Sequence, residues 1–258
     1  MLEIKLLPGS EVEIIGEILA DDFEACRNQA LKELSEKVKV DGFRPGKVPE
    51  KILIENVGGQ EILEKMAIIA LQRKYSKIIE EHRIKAIGRP MITITKIAVN
   101  NPLGFKIRTF VMPEIELPDY KNIGKGKKRL EILEEIAEKM KVEIPQILIE
   151  SEKEKIAQEI KANIEETGLK WGDYLNHIKK TEEEIRKDWE PDAMKRVKYG
   201  LILNEIAEKE KIEVSEEELN AEVEKIMNQY KDLDPERVKV YIYGIIRNEK
   251  VFKLLESC

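Results

Sequence analysis

The sequence predicts an α+β protein in which an amino-terminal domain with an antiparallel sheet and helices precedes an all-α, two-armed carboxy-terminal domain. Residues 1–113 mix runs of strand-like alternation with runs of helical spacing, whereas the chain beyond about residue 128 has helical spacing throughout. The charge changes with the pattern, because residues 1–113 carry a net +2 and residues 114–258 a net −8. Helices combined with an antiparallel sheet define the α+β class.

The first elements are two strands and a helix. Strands are predicted at Leu2–Leu7 and Glu11–Ile18, with a proline–glycine turn between them. A helix is expected to begin at Asp21, with Glu24 completing a capping box. Its apolar residues repeat at helical spacing and should form one buried stripe. They are Phe23, Cys26, Ala30, Leu31, Leu34 and Val38.

The stretch DGFRPGKVP, residues 41–49, interrupts the helical pattern. Its two glycines allow backbone angles that other residues resist, and its two prolines fix φ and remove hydrogen-bond donors. We therefore expect an exposed, shaped loop whose tip offers Phe43 beside Arg44 and Lys47. The surrounding lysines, Lys37, Lys39 and Lys51, suit RNA phosphate or an acidic protein surface. The alternative is a tight connection in which Phe43 folds back onto the domain.

More helices and a hairpin follow the loop. A short helix is predicted over residues 49–57 and a long one over residues 60–83, with a Gly-Gly break between them. Residues 91–99 and 103–112 should form a hairpin that completes the sheet. Residues 114–127 then have the glycine, proline and charge content of a linker.

The second region has recognisable helix starts and an internal repeat. The starts are marked by capping boxes or by proline in the first turn: Pro145, Thr181 with Glu184, Ser215 with Glu218, and Pro235. The stretch EIAEKMKVEIPQILIESEKEKI from residue 135 matches EIAEKEKIEVSEEELNAEVEKI from residue 205 at half of the positions. Each copy would end one helix, cross a short extended link and begin another. Two open helix pairs would project as two arms around a concave surface.

Several functional classes are disfavoured by the composition. No apolar run approaches the roughly 20 residues that a membrane span needs. The amino terminus lacks the basic region and long apolar core of a secretory signal, so we expect a cytoplasmic protein that does not bind membranes.

The residues of catalytic and metal sites are sparse. Cys26 and Cys258 are too few for a disulfide framework or a zinc site, and His82 and His177 are isolated from each other. The glycines fit neither of the common phosphate-binding patterns. We expect no catalytic residues, no metal and no cofactor.

The loop and its surroundings resemble bacterial trigger factor. GFRPGKVP, residues 42–49, resembles the ribosome-docking signature of that family, and MPEIEL, residues 112–117, resembles the exit from its amino-terminal domain. The helical region resembles its carboxy-terminal chaperone domain. The resemblance implies ribosome contacts by Phe43, Arg44, Pro45, Gly46 and Lys47. The family's docking triplet is Phe-Arg-Lys, so Pro45 is a departure that Lys47 would offset from two residues on.

The resemblance also implies a domain plan and partners. Residues 1–115 would bind the ribosome, residues 116–127 would stand where the family carries a prolyl isomerase domain, and residues 128–258 would hold clients. Only about 15 residues separate Leu117 from Ile132, whereas an isomerase domain needs on the order of 100, so we expect no enzyme activity. The expected partners are an exit-tunnel protein and ribosomal RNA, unfolded or nascent polypeptides, and a second copy in a weak homodimer. The rival hypotheses are an RNA-binding or ribosome-assembly factor that uses the same loop, and a prolyl isomerase with a displaced site.

Overall fold

The structure is a computed structural model that describes residues 2–124, 126–230 and 233–257. It divides into two compact units, Met1–Met112 and Pro113–Cys258. The terminal thiol Cys258 lies outside the described residues. The domain boundaries at residues 115 and 127 remain a prediction.

The first unit is built on a four-stranded antiparallel sheet. Its strands are β1 (Leu2–Leu7), β2 (Glu11–Ile18), β3 (Ala86–Lys96) and β4 (Leu103–Val111), in the order β1-β2-β4-β3. Ile14 of β2 lies opposite Ile4 of β1 and Ile107 of β4, so the apolar positions share one face. The predicted strands and the hairpin are confirmed. Strand β3 begins earlier than residue 91, because Ala86 already pairs with Val111.

Four helices cover the apolar face of this sheet. They are α1 (Ala20–Glu24), α2 (Arg27–Lys37), α3 (Glu50–Val57) and α4 (Gly59–Glu81). The predicted stripe is buried, since Phe23, Cys26, Ala30 and Leu34 are buried and Leu31 and Val38 pack against the same core. The single helix expected to carry it is wrong, because the chain breaks between α1 and α2. Fully buried residues of the sheet and of α4 complete this core, among them Ile14, Met66, Phe105 and Ile107.

The capping box predicted at Asp21 and Glu24 is wrong. The helix begins at Ala20 with Leu19 as its N-cap, and no side chain caps it. A carboxylate oxygen of Glu24 instead accepts a hydrogen bond of 3.3 Å from the backbone of Asn100, in the β3–β4 connection. A distant turn therefore competes for the side chain that the local pattern assigned to the cap.

The second unit contains seven helices within the described residues. They are α5 (Arg129–Lys139), α6 (Gln146–Glu166), α7 (Trp171–Ile178), α8 (Glu182–Asp188), α9 (Glu190–Lys209), α10 (Glu216–Gln229) and α11 (Pro235–Ser257). The capping box of Thr181 and Glu184 is confirmed. At Ser215 half of the predicted box is present, since the hydroxyl accepts from the backbone of Glu218 while the Glu218 carboxylate pairs with Lys250. Pro145 is an N-cap rather than the first helical residue.

The sequence repeat corresponds to a repeat of structure. Helices α5 and α9 contribute equivalent residues to one core, at the same offset of 70. The pairs are Ile132 and Ile202, Leu133 and Leu203, Ile136 and Ile206, and Ala137 and Ala207, and all eight are buried. After each helix the chain crosses an extended link and starts another helix with a separate small apolar cluster. Residues 146–193, here called arm 1, bury Ile149 against Ala193, and residues 216–246, here called arm 2, bury Leu219 against Ile242.

Residues 116–124 pack closely on the core of the second unit. Tyr120 and Ile123 are buried, and the Tyr120 hydroxyl donates a hydrogen bond of 2.6 Å to Glu210. Hydrogen bonds to the Glu210 carboxylate hold the pKa of this group below its ordinary value, with the larger effect from Lys121 and the smaller from Tyr120. A Cβ atom on Gly124 would stand 1.7 Å from the backbone oxygen of Leu255. This segment is thus an ordered strap across the end of α11.

Candidate functional site

The loop between α2 and α3 has a conformation that glycine makes accessible. The backbone leaves α2 at Val38 in an extended conformation, and Gly42 and Gly46 then adopt φ of +83° and +78°. The Gly46 amide donates a hydrogen bond of 2.8 Å to the carbonyl of Ser35. The Lys47 amide donates one of 3.0 Å to the carbonyl of Arg44. The first bond ties the loop to the last turns of α2, and the second closes a turn within the tip.

Valines anchor the two ends of this loop. Val48 is buried in the core of the first unit, and Val38 and Val40 pack against that core. The Phe43 amide donates to the carbonyl of Val40 at 3.1 Å, which turns the chain outward directly before the tip. The loop is therefore fixed at its base and presented at its tip.

The tip presents an aromatic ring beside cations. Phe43 is 38% exposed and lies outside the buried core, so the alternative in which it folds back into the core does not describe this structure. Arg44, Pro45, Gly46 and Lys47 are all exposed. Among the ion pairs of the described residues, none involves Arg44 or Lys47. A guanidinium in this state can bind a phosphate or a carboxylate with two donors.

The neighbouring charges strengthen the positive character of the loop. Lys37, Lys39 and Lys51 are exposed, which agrees with a cationic rim around the tip. Acidic side chains also lie near the loop. The carboxylate of Glu50 is paired with Arg27 at 3.1 Å, Asp41 is exposed, and Glu36, also exposed, lies at the end of α2 beside Gly46.

The remaining candidates that the structure describes lie apart from one another. Cys26 is buried, and burial raises the pKa of its thiol despite the guanidinium of Arg73, 3.9 Å from its sulfur. His82 and His177 are exposed and lie in different units. No group of three or more His, Cys, Asp or Glu side chains within residues 2–124, 126–230 and 233–257 is arranged to hold a metal ion.

A second surface, which the sequence reasoning missed, lies on arm 2. Helix α11 exposes several large apolar side chains: Val240 (74%), Tyr241 (69%), Ile245 (47%) and Tyr243 (39%), here called the α11 apolar surface. Ile242 and Ile246 of the same helix pack in the apolar cluster that α11 shares with α10. The signal was present in the run VYIYGII, which is apolar around the whole helix where a single stripe would suffice for packing.

A shallow groove adjoins this surface. It has a volume of about 240 Å³ and lies between α10 and α11, where Ile242, Ile245 and Ile246 form its apolar lining. Glu218 and Lys250 form an ion pair of 2.6 Å at its rim. A groove with an apolar lining and a charged rim can hold one apolar side chain of a ligand, and such shallow contacts accept ligands of different sequence at low affinity.

No helix within the described residues is both long enough and apolar enough to span a membrane.

Two family models together match residues 1–255 of the chain. The family model described as bacterial trigger factor protein matches residues 1–144, and the model of the trigger factor carboxy terminus matches residues 107–255. Trigger factor of Rhodococcus opacus (strain B4) is 38% identical over 143 residues, which are 55% of this chain and 31% of the relative. Trigger factor of Natranaerobius thermophilus is 36% identical over 130 residues, which are 50% of this chain and 29% of the relative.

A solved structure shares the fold. It comes from a study of promiscuous substrate recognition in the folding and assembly activities of the trigger factor chaperone. The TM-score is 0.64 and the identity 13%, with 98% of each chain covered. The sequence match spans about a third of the length of the curated relatives. Because the first family model alone covers more than half of the residues, the chain belongs to the trigger factor family.

Proposed function

We propose that this protein is a ribosome-associated chaperone that docks near the peptide exit tunnel and shields apolar segments of nascent chains. The observation that carries the proposal is Phe43, exposed beside Arg44 on a loop whose base is fixed and whose cations have no ion pair among the described residues. Membership of the trigger factor family supports the same function.

Docking would combine an apolar contact with a charged one. The Phe43 ring would insert against an apolar or stacked surface of the ribosome, and Arg44 would bind a phosphate of ribosomal RNA or a carboxylate of a tunnel protein. Lys47, exposed on the same turn, supplies the cation that the family places at position 45. Pro45 lacks an N–H group and stiffens the tip instead.

Client shielding would take place on the helical unit. The α11 apolar surface leaves four large side chains in contact with water, which is costly unless a ligand covers them. Contacts of this kind are shallow and individually weak, so they accept many sequences. Tethering at the exit tunnel raises the effective concentration of the emerging chain, and a weak intrinsic affinity then suffices.

We further propose that the protein acts by binding alone. Residues 116–124, within the span where the family's isomerase domain would sit, form a short strap in which Tyr120 is buried. A prolyl isomerase needs an apolar cleft that encloses a proline ring, and a domain of that kind takes on the order of 100 residues. A cytoplasmic location and a weak homodimer belong to the same proposal.

Two assays test the two halves of this function. Purified ribosomes should co-sediment the wild-type protein, and a chemically unfolded client should aggregate more slowly in its presence at near-stoichiometric ratio. Replacing Tyr241 and Ile245 by serine should reduce the second activity and leave the first unchanged. The matched control replaces Leu6 and Leu19, two exposed leucines of the first unit, by serine. If the control loses client protection, or if the α11 variant keeps all of it, the α11 apolar surface is not the client-binding surface.

A further inference from the structure

Strand β3 lies at an open edge of the sheet. Within the described part of the chain, β4 is the strand that pairs with β3, so one side of the β3 backbone has no strand to bond with. Its pairing with β4 is irregular between Ile87 and Met91 and again between Ile94 and Lys96. Residues 91–94 between these irregularities form a regular ladder, and this stretch can template another strand.

This stretch exposes residues from the core face of the sheet. Ile92 lies opposite Ile107, and Ile94 lies opposite Phe105; both partners on β4 are fully buried. The two isoleucines nevertheless remain 42% and 37% exposed, because the helices do not cover the sheet at this edge. An added strand with apolar residues at alternate positions would continue the same face and remove the isoleucines from water.

Cations stand on both sides of the stretch. Arg89 and Lys96 are exposed, and no ion pair among the described residues holds either of them. Pro90 and the irregular pairing shorten the usable edge, as is common on edge strands. A second copy of β3 pairing antiparallel about the centre of the stretch would bring Arg89 opposite Lys96, and that repulsion disfavours self-association. A strand with acidic ends would be attracted instead.

We propose that the β3 edge binds extended polypeptide segments in which apolar residues alternate with polar ones and acidic residues flank both ends. Binding adds a fifth strand to the sheet through backbone hydrogen bonds to residues 91–94. Ile92 and Ile94 supply apolar contact, and Arg89 and Lys96 select the charge of the flanks. The site uses none of the docking-loop residues and needs no ribosome, so it goes beyond the function proposed above.

Peptide binding tests the chemistry of the ligand. Fluorescence anisotropy with the labelled peptide DEVTVTVDE should show saturable binding to the full chain. The peptide KKVTVTVKK should bind at least about fivefold more weakly, since two attractive charge contacts become repulsive ones. The peptide DEVTPTVDE should show no measurable binding, because proline removes a ladder donor. Equal binding of the acidic and the lysine-flanked peptides, or full binding of the proline peptide, would overturn the proposal.

A charge reversal tests the location of the site. The double variant Arg89→Glu/Lys96→Glu should exchange the preference and bind the lysine-flanked peptide more tightly than the acidic one. That gain also shows that the variant is folded. The matched control Lys32→Glu/Lys77→Glu changes two exposed lysines on the helices of the same unit and should keep the wild-type preference. An unchanged preference in the Arg89/Lys96 variant would place the binding elsewhere.

Hydrogen exchange supplies a readout of the added strand itself. Amides within residues 91–94 should exchange more slowly when the acidic peptide is bound, and protection confined to other segments would contradict strand addition. The Phe43→Ala/Arg44→Ala variant should bind the peptide like the wild type. Failure of the edge proposal is thereby distinguishable from failure of ribosome docking.

Discussion

Replacement of Phe43 and Arg44 by alanine should weaken ribosome binding at least about tenfold and leave the fold intact. A buried phenylalanine covers about 150–250 Å². Since 38% of Phe43 is still exposed, docking can bury about 75 Å² more of the side chain, or about 2 kcal/mol at about 25 cal/mol per Å². A hydrogen bond from Arg44 to a charged partner adds about 1.5–3 kcal/mol.

The net effect is smaller than the sum of these contributions. Ordering each side chain on binding costs about 0.5–1.5 kcal/mol. The middle of these ranges leaves a loss of about 2 kcal/mol, which exceeds the roughly 1.4 kcal/mol that corresponds to tenfold in Kd. The stability of the variant should stay close to that of the wild type, because Val48 and not Phe43 holds the loop in the core.

The assay is co-sedimentation with ribosomes over a range of protein concentrations, with circular dichroism and thermal unfolding of both proteins. The matched control, Leu19→Ala/Lys32→Ala, removes an exposed apolar side chain and an exposed cation from other positions of the same unit. A variant that binds with wild-type Kd would refute docking through this loop. A variant that unfolds would show instead that Phe43 supports the core.

Three further predictions concern salt, catalysis and packing. Ribosome affinity should fall as the salt concentration rises, because the cations of the loop would face phosphate or carboxylate in the proposed complex. A Kd that stays constant from low to physiological salt would point to a purely apolar contact through Phe43. The protein should not accelerate cis–trans exchange of a proline peptide, which takes about tens to hundreds of seconds without a catalyst. The fragment 113–258 should retain most of the full chain's ability to suppress aggregation of an unfolded client. Faster exchange of the proline peptide with contaminant-free protein would contradict the absence of isomerase activity. If neither the full chain nor the fragment delays client aggregation, the RNA-binding or ribosome-assembly alternative is favoured. Gly124→Ala should lower the free energy of unfolding by about 1–3 kcal/mol, because the added methyl group clashes with Leu255. The control Gly200→Ala lies in open space on α9 and should raise it by about 0.5–1 kcal/mol. Similar shifts of the two variants in urea melts would show that the strap is not closely packed.

Much of the fold followed from local rules. Strand alternation located β1 and β2, the Gly-Gly break separated α3 from α4, and the Thr181–Glu184 pair marked the start of α8. These features depend on residues within a few positions of each other, so a single sequence contains them. The loop at residues 41–49 was predicted in the same way, since glycine and proline determine where a helix cannot continue.

Other features depended on contacts between distant parts of the chain. The cap expected at Glu24 was lost to Asn100, 76 residues away in sequence. The segment predicted to be a linker packs on the helical core instead. Tyr120 donates a hydrogen bond to Glu210, and Gly124 allows the chain to approach the backbone of Leu255 closely. Neither partner is visible in the local composition of residues 116–127.

The sequence by itself determined which residues share a face, which segments are helices and strands, and where the loop must lie. Only the tertiary structure decided which faces stay uncovered. The run VYIYGII is apolar on every side, and the packing of α10 selects the side that is buried and leaves the α11 apolar surface exposed. Strand order is likewise set by the long-range pairing of β2 with β4, which leaves β3 at the edge. Periodicity reports the geometry of one element, whereas exposure depends on what packs against it.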